Sequence, residues 1–471
     1  MRNKTPLPRL GPHQEQEIMM GTCQRWIISA LGVAAIGLVA LPARAQLGLP
    51  SAPGGGWPMG GLPDLPLPTG ADTGLPTVGG LTRQARSLEA PALSALRGRQ
   101  VQALIRDHAD VIDVDDLGQA VVRGEVLILS PSPQSLAIAT KAGFRIGGET
   151  RLEGLGLSTV TLSPPDGISV REAVRRLRAL DPQGQYDFNH IYLGAGMAAA
   201  SAGGWAASRG GGSGVRIGLV DGGVAAHPSL GPVEQRGFAP GGLKVSAHGT
   251  AVASLMVGRS GAFRGAAPGA RLLVADVYGG SPTGGSAAII AQALAWMARN
   301  KVPVINVSLV GPPNLTLRAA VAALVSRGHL VVAAVGNDGP AAPPLYPASY
   351  PGVVSVTGVD ARRRVLPEAG RGGHVDFAAP GADMAGASTR GGYVTLRGTS
   401  FAAPLVAGRL ALDLLAPDKT DADRALDTLS RQARDLGARG ADPVYGKGLV
   451  AFELRTAPTA VGAVRSVLAG E

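Results

Sequence analysis

Three short stretches carry side chains that together could activate a nucleophile. In RGTSFAAPLVAG, Ser400 stands at a helix start, where its own backbone N–H points outward and can donate to an anion. In AHGTAVASLMVG, His248 opens another helix, and Gly249 beside it lets a second backbone come close. In VRIGLVDGG an apolar strand ends on Asp221, and the two glycines that follow turn the chain and leave the carboxylate at the strand tip. A serine hydroxyl is a weak nucleophile until an imidazole takes its proton. The imidazole in turn needs a carboxylate to fix its tautomer and stabilise the imidazolium. A fourth stretch, LVVAAVGNDGP, ends a strand at Gly336-Asn337, and the Asn337 amide can join the Ser400 N–H in holding the oxyanion of a tetrahedral intermediate.

These groups need elements that bring strand tips and helix starts together. From Val215 onward, β-branched runs (VRIGLVD, RLLVADVYG, VPVINVSL, LVVAAVGN, VVSVTGVD) alternate with Ala/Leu-rich helical stretches. That alternation predicts an α/β fold with a mainly parallel sheet flanked by helices, whose functional residues lie at strand C-termini and helix N-termini. Ahead of it, residues 123–192 read β-α-β-β-α-β and predict a small separate α+β unit. Its second helix is marked by Ser169 as N-cap with Glu172 three residues on. Residues 193–214 are a Gly/Ala/Ser joint, and 46–122 hold a Gly/Pro-rich tether followed by one helix that Pro91 and Gly98 interrupt. The globular body is expected over 215–455 and a C-terminal tail over 456–471.

The order Asp-His-Ser, in DGG, HGT and GTSFAAP contexts with an AAxGN oxyanion segment, resembles the subtilisin-like serine proteases, or subtilases, over about Gly214 to Leu454. The resemblance implies a serine endopeptidase acting on polypeptides. In it AFRGAAPGARLLVADV is similar to the segment after the catalytic helix, VINVSL to one wall of the substrate cleft, HVDFAAPG to the strand before the nucleophile, and DPVYGKGLV to the terminal signature. Substrate main chain is then expected along the Ser308-Leu309 edge, with Val310 and Gly336 beside the first specificity pocket. The unit 123–192 is similar to the family's propeptide, a chaperone and intramolecular inhibitor. On that reading DFNHIY lies in the cleft, and self-cleavage falls near Tyr192 or within the joint. This sequence departs from the family in three places. Gly222 stands where a Thr or Ser usually braces the acid, and Val310 where many relatives have Gly, which favours small or medium apolar side chains before the scissile bond. The stretch after the catalytic helix lacks the longer loop that supplies a calcium site in many relatives. No metal or cofactor is therefore expected; calcium stays open by resemblance, with no ligands to name.

Composition narrows the remaining classes. The chain has 471 residues, 17% of them charged and 45% apolar, enough for a large core and for two or three domains. Its formal charge of +10 comes with only 4% aromatics, too few for base-stacking platforms, so nucleic acid is not an expected partner. Cys23 is the sole thiol and lies in the N-terminal region, which excludes internal disulfides and Cys-based metal sites from the rest. The uncharged run Trp26 to Leu41, preceded by Arg25 and followed by Ala43-Arg44-Ala45, predicts a signal peptide over 1–45. A secreted or periplasmic product without stable membrane association follows from it, and Met19 or Met20 would make a more ordinary start. His227 precedes a Pro and reads as structural, as do His329 and His374 beside glycines. Asp276 and Asp376, inside apolar strands, are expected in structural hydrogen bonds, and Arg362 to Arg364 form an exposed turn. The competing function is a self-processing but otherwise inert binding or scaffold protein. A lipase-type hydrolase would need a G-x-S-x-G elbow and the order Ser-Asp-His, and has neither.

Overall fold

The computed structural model describes residues 90–194 and 214–464. The expected signal peptide, the Gly/Pro tether, most of the 193–214 joint and the end of the tail lie outside the described residues.

The first elements form an N-terminal module. Helix α1 (Ala90–Asp107) is followed by β1 (Ile112–Val114), β2 (Ala120–Leu129), α2 (Pro133–Lys141), β3 (Arg145–Leu152), β4 (Leu157–Ser163), α3 (Val170–Leu180) and β5 (Tyr186–His190). The sheet runs β1-β2-β4-β3, with β5 also on β2. The sequence pattern set no strand ahead of Arg123, yet β1 joins this sheet. Helix α1 runs through both expected breakers: Pro91 sits in the first turn, where no N–H is lost, and Gly98 is carried by packing of Val101, Leu104 and Ile105 further on. Ser169 caps α3 by accepting from the Glu172 N–H. Val170, Val174 and Leu177 bury one face of α3 against the sheet, together with Val126, Ile128 and Phe188.

After the two-residue strand β6 (Leu193–Gly194) comes the body. Strands β7 (Arg216–Asp221), β8 (Val233–Gly237), β11 (Arg271–Asp276), β12 (Val304–Val307), β14 (Leu330–Ala334), β15 (Val354–Val359) and β16 (Phe377–Pro380) make one seven-stranded sheet. Its order is β16-β15-β14-β12-β7-β11-β8, and every neighbouring pair in it is parallel. Two small hairpins, β9 (Arg259–Ser260) with β10 (Phe263–Arg264) and β17 (Ala382–Ala387) with β18 (Tyr393–Arg397), stand outside it, and β13 (Leu309–Val310) follows β12. Helices α4 (Ala247–Val257), α7 (Ala403–Asp413) and α8 (Lys419–Gln432) cover one face; α5 (Ala287–Arg299) and α6 (Leu315–Ser326) cover the other. This is an α/β, subtilisin-like fold. From β7 the chain places β8 at the sheet edge and then β11 between the two, before crossing to β12 on the other side of β7 and building the opposite way. The strand order therefore reverses between β7 and β12, and a crevice opens there at the strand C-terminal ends.

The module docks on the second helix layer. Leu127, Leu152 and Leu155 join the buried cluster made by α5 and α6. Arg299 reaches Glu153 at 2.7 Å, and Arg327 donates to the Leu155 carbonyl at 2.8 Å. Each fully buried leucine contributes about 1.5–3 kcal/mol, so apolar packing dominates this contact over its exposed ion pair.

Candidate active site

Asp221 is the last residue of β7, at the edge of the crevice, and is buried. Its Oδ1 accepts from the Gly222 N–H at 2.7 Å, which leaves Oδ2 to face the His248 Nδ1 at 2.8 Å. His248 is the second residue of α4, a helix capped by Ser246, whose Oγ accepts from the Gly249 N–H. On the far side of the ring, Nε2 lies 3.0 Å from Ser400 Oγ. The Phe401 ring packs at 5.2 Å from the imidazole and limits its rotation. The two hydrogen bonds fix the tautomer: Nδ1 carries the proton toward the carboxylate, and Nε2 is the acceptor facing the hydroxyl.

This convergence needs close backbone contact. A Cβ on Gly249 would lie 2.3 Å from the Gly222 carbonyl oxygen, so α4 can approach the Asp221 turn only with glycine there. Gly222 itself has no room for the usual Thr or Ser, because its Cβ would lie 2.4 Å from Ser246 Cβ. The Ser246 side chain fills the space. No sequence rule pointed to Ser246, although Ser two residues before a helical His is a cap signal that could have done so.

Ser400 lies in a short 3-10 turn (Thr399–Phe401) leading into α7 and is buried. Its carbonyl accepts from Ser308 Oγ at 3.2 Å, and Asn306 Nδ2 holds that Oγ at 2.7 Å. Ser308, expected only as part of the substrate edge, thus also ties the nucleophile's backbone to the end of β12. Asn337 follows β14, and its Oδ1 accepts from the Thr399 N–H at 3.0 Å, which turns the amide NH2 end away from that backbone. Val310 and Leu345 flank the space that a side chain on Gly336 would enter, 3.7 and 2.5 Å from its Cβ position.

The predicted substrate edge is already paired. Strand β6 runs antiparallel to β13, with Leu309 opposite Gly194 and Val310 opposite Leu193. Just before it, Tyr192 is fully buried: its N–H donates to the Gly285 carbonyl at 2.9 Å and its hydroxyl to the Pro312 carbonyl at 2.7 Å. A Cβ on Gly311 would meet the Tyr192 ring at 2.5 Å. Of the DFNHIY segment, Asp187 to His190 pair with β2 inside the module, and only the residues from Ile191 enter the groove. Burial, with the Asp221 and Asp276 carboxylates nearby, keeps the Tyr278 phenol well above its ordinary range and neutral.

The other titratable candidates do not join the site. His227 bonds Ser229 Oγ and the Gly392 carbonyl, each at 2.7 Å. His329 bonds the Val302 carbonyl. Asp276 accepts the backbone N–H groups of Lys244, Tyr278 and Gly279, and Asp376 that of Ser355. Arg364 pairs with Asp360 in its turn. Among the described residues no group of three or more His, Cys, Asp and Glu side chains could hold a metal ion, and no helix is long and apolar enough to cross a membrane.

Comparison with known proteins gives a consistent set of likenesses. Residues 212–448 match the model of the subtilase family. Subtilisin Savinase of Lederbergia lenta is 36% identical over 251 residues, which span 52% of this chain and 91% of that protein. The alkaline protease of Alkalihalobacillus alcalophilus is also 36% identical over 251 residues, and 65% of its length is covered. Among solved structures, fervidolysin from Fervidobacterium pennivorans, a keratinolytic enzyme related to subtilisin, matches with a TM-score of 0.59. Its identity is 20%, over 76% of this chain and 63% of that one, so it speaks for the fold alone.

Proposed function

This chain belongs to the subtilase family and is a subtilisin-like serine endopeptidase, and on that footing we propose that it is exported, made as a zymogen, and cuts polypeptides through an acyl-enzyme on Ser400. The observation that carries the chemistry is the continuous relay from Asp221 through His248 to Ser400, at 2.8 and 3.0 Å. Ser400 Oγ attacks the scissile carbonyl carbon while His248 Nε2 takes its proton; the same proton then goes to the leaving amine. Water attacks the ester in the second half, with His248 again the base. Asp221 holds the ring and offsets its charge. The Asn337 amide and the Ser400 N–H receive the oxyanion.

Substrate lies along Ser308 to Val310 as an added strand, the arrangement that β6 already adopts there. Val310 and Leu345 narrow the space behind Gly336 and favour small or medium apolar side chains before the cut bond. The zymogen reading rests on the same pairing: while β6 occupies β13, substrate cannot. The N-terminal module is then the chain's own inhibitor, released after self-cleavage in the 193–214 joint. Export rests on the signal-like sequence of residues 1–45. No cofactor enters this scheme.

A fluorophosphonate probe tests the chemistry. It should label Ser400 in the processed protein, and Ser400→Ala should remain full length with its N-terminal module attached. Failure to label folded, processed protein would favour an inert scaffold, and a Ser400→Ala chain that matures alone at the normal rate would end the self-cleavage reading.

A further inference from the structure

Helix α1 lies upstream of the β-α-β-β-α-β unit that resembles an inhibitor, and two contacts connect it to the active site. Along one face, Val101, Leu104 and Ile105 share a single apolar cluster with Ile112, Ala120 and Val122 of the module and with Ile191 and Leu193. Those last two residues flank Tyr192, and Leu193 is paired with Val310 in the groove. The helix is thereby tied, through this cluster, to the segment that fills the cleft. One turn earlier, Arg97 crosses to the body: its guanidinium donates to Asp338 Oδ2 at 2.9 Å, across 241 positions of sequence. Both side chains are largely withdrawn from water, at 16% and 12% exposure. Asp338 directly follows Asn337, the proposed oxyanion donor, and Arg97 is its one ion-pair partner among the described residues. Burial pushes the Asp338 carboxyl up and the Arg97 charge opposes that push, so the carboxylate depends on the helix for its compensation.

We propose that α1 is a second inhibitory element, with the Arg97–Asp338 pair as its latch. Resting on the zymogen reading above, it assigns α1 the task of holding β6 in the groove after the joint has been cut. Cutting the joint alone then leaves an inhibited complex. Activity appears only when the guanidinium leaves Asp338 and the apolar face of α1 lifts from Ile191 and Leu193. Losing one partner of a mostly desolvated ion pair across an interface raises the dissociation rate strongly, because the other charge stays buried without compensation.

The experiment follows two clocks in the full-length chain: the cut in the joint, by gel mobility and mass, and exposure of Ser400, by fluorophosphonate labelling. Wild type should show a delay between them. Arg97→Ala should cut at the wild-type rate and shorten the delay at least ~10-fold, while Arg97→Lys, which keeps the charge, should retain most of it. Arg97→Met keeps the packing stem and removes only the charge, so it serves if the Ala variant does not fold. An unchanged delay in the neutral variants, with a clear delay in wild type, overturns the latch alone. Full labelling of uncut wild type overturns the zymogen reading and the latch with it.

Discussion

The proposed chemistry depends on a few side chains whose neighbours are as exacting as they are. Asn337→Ala should lower kcat by ~10²–10³-fold with KM little changed, a magnitude carried over from subtilisin, because the amide acts on charge that forms only in the transition state. Steady-state kinetics on a peptide substrate checks it, and an equal rise in KM with kcat intact would mean the amide only binds. Restoring the family's hydroxyl should harm this protein: in Gly222→Thr the new Cβ drives Ser246 from its place, costing α4 its cap, about 1 kcal/mol, and shifting His248. The double variant Gly222→Thr with Ser246→Gly should recover stability in thermal melts relative to the single one. The sequence made Asp221, His248, Ser400 and Asn337 readable because each sits in a local context of glycines and strand or helix ends. Ser246 as space-filler, Ser308 as a tether and Arg97 on Asp338 were not readable, since each depends on contacts between distant stretches.

At the scale of elements, the alternation of apolar runs was enough to announce a parallel sheet covered on both faces. It could not announce that the small unit's sheet begins with β1, three residues whose pattern is too short to be periodic. Nor could it give α1 its extent, because helix-breaking residues are weighed locally while the compensation comes from Ile112, Val122 and Ile191. The contact between module and body is similarly a matter of side chains meeting across elements. Leu155, buried in the turn between β3 and β4, contributes to the α5 and α6 cluster. On a Ser400→Ala background, Leu155→Ala should cost ~2–4 kcal/mol. It should lower a first melting transition, that of the module, and leave the body's transition in place. One transition moving as a whole would show that module and body unfold together.

For the whole molecule, acid is the expected weakness. Burial holds His227 and His329 below the ordinary imidazole range, and both are hydrogen-bonded as neutral rings. Unfolded, they take up protons near their usual value of about 6.5, so the unfolded state binds more protons and stability rises with pH. The stabilisation is complete above that value and is lost as pH falls through it toward the depressed folded values. The melting temperature of the Ser400→Ala chain should therefore fall between pH 7.5 and 5, and His329→Gln should flatten the slope; equal slopes would clear His329 of the effect. The pairing of β6 with β13 has a further consequence. A groove that pairs its guest through peptide N–H and carbonyl groups takes an extended stretch whose own main-chain partners are free, so a stretch already built into a helix or sheet must first leave it.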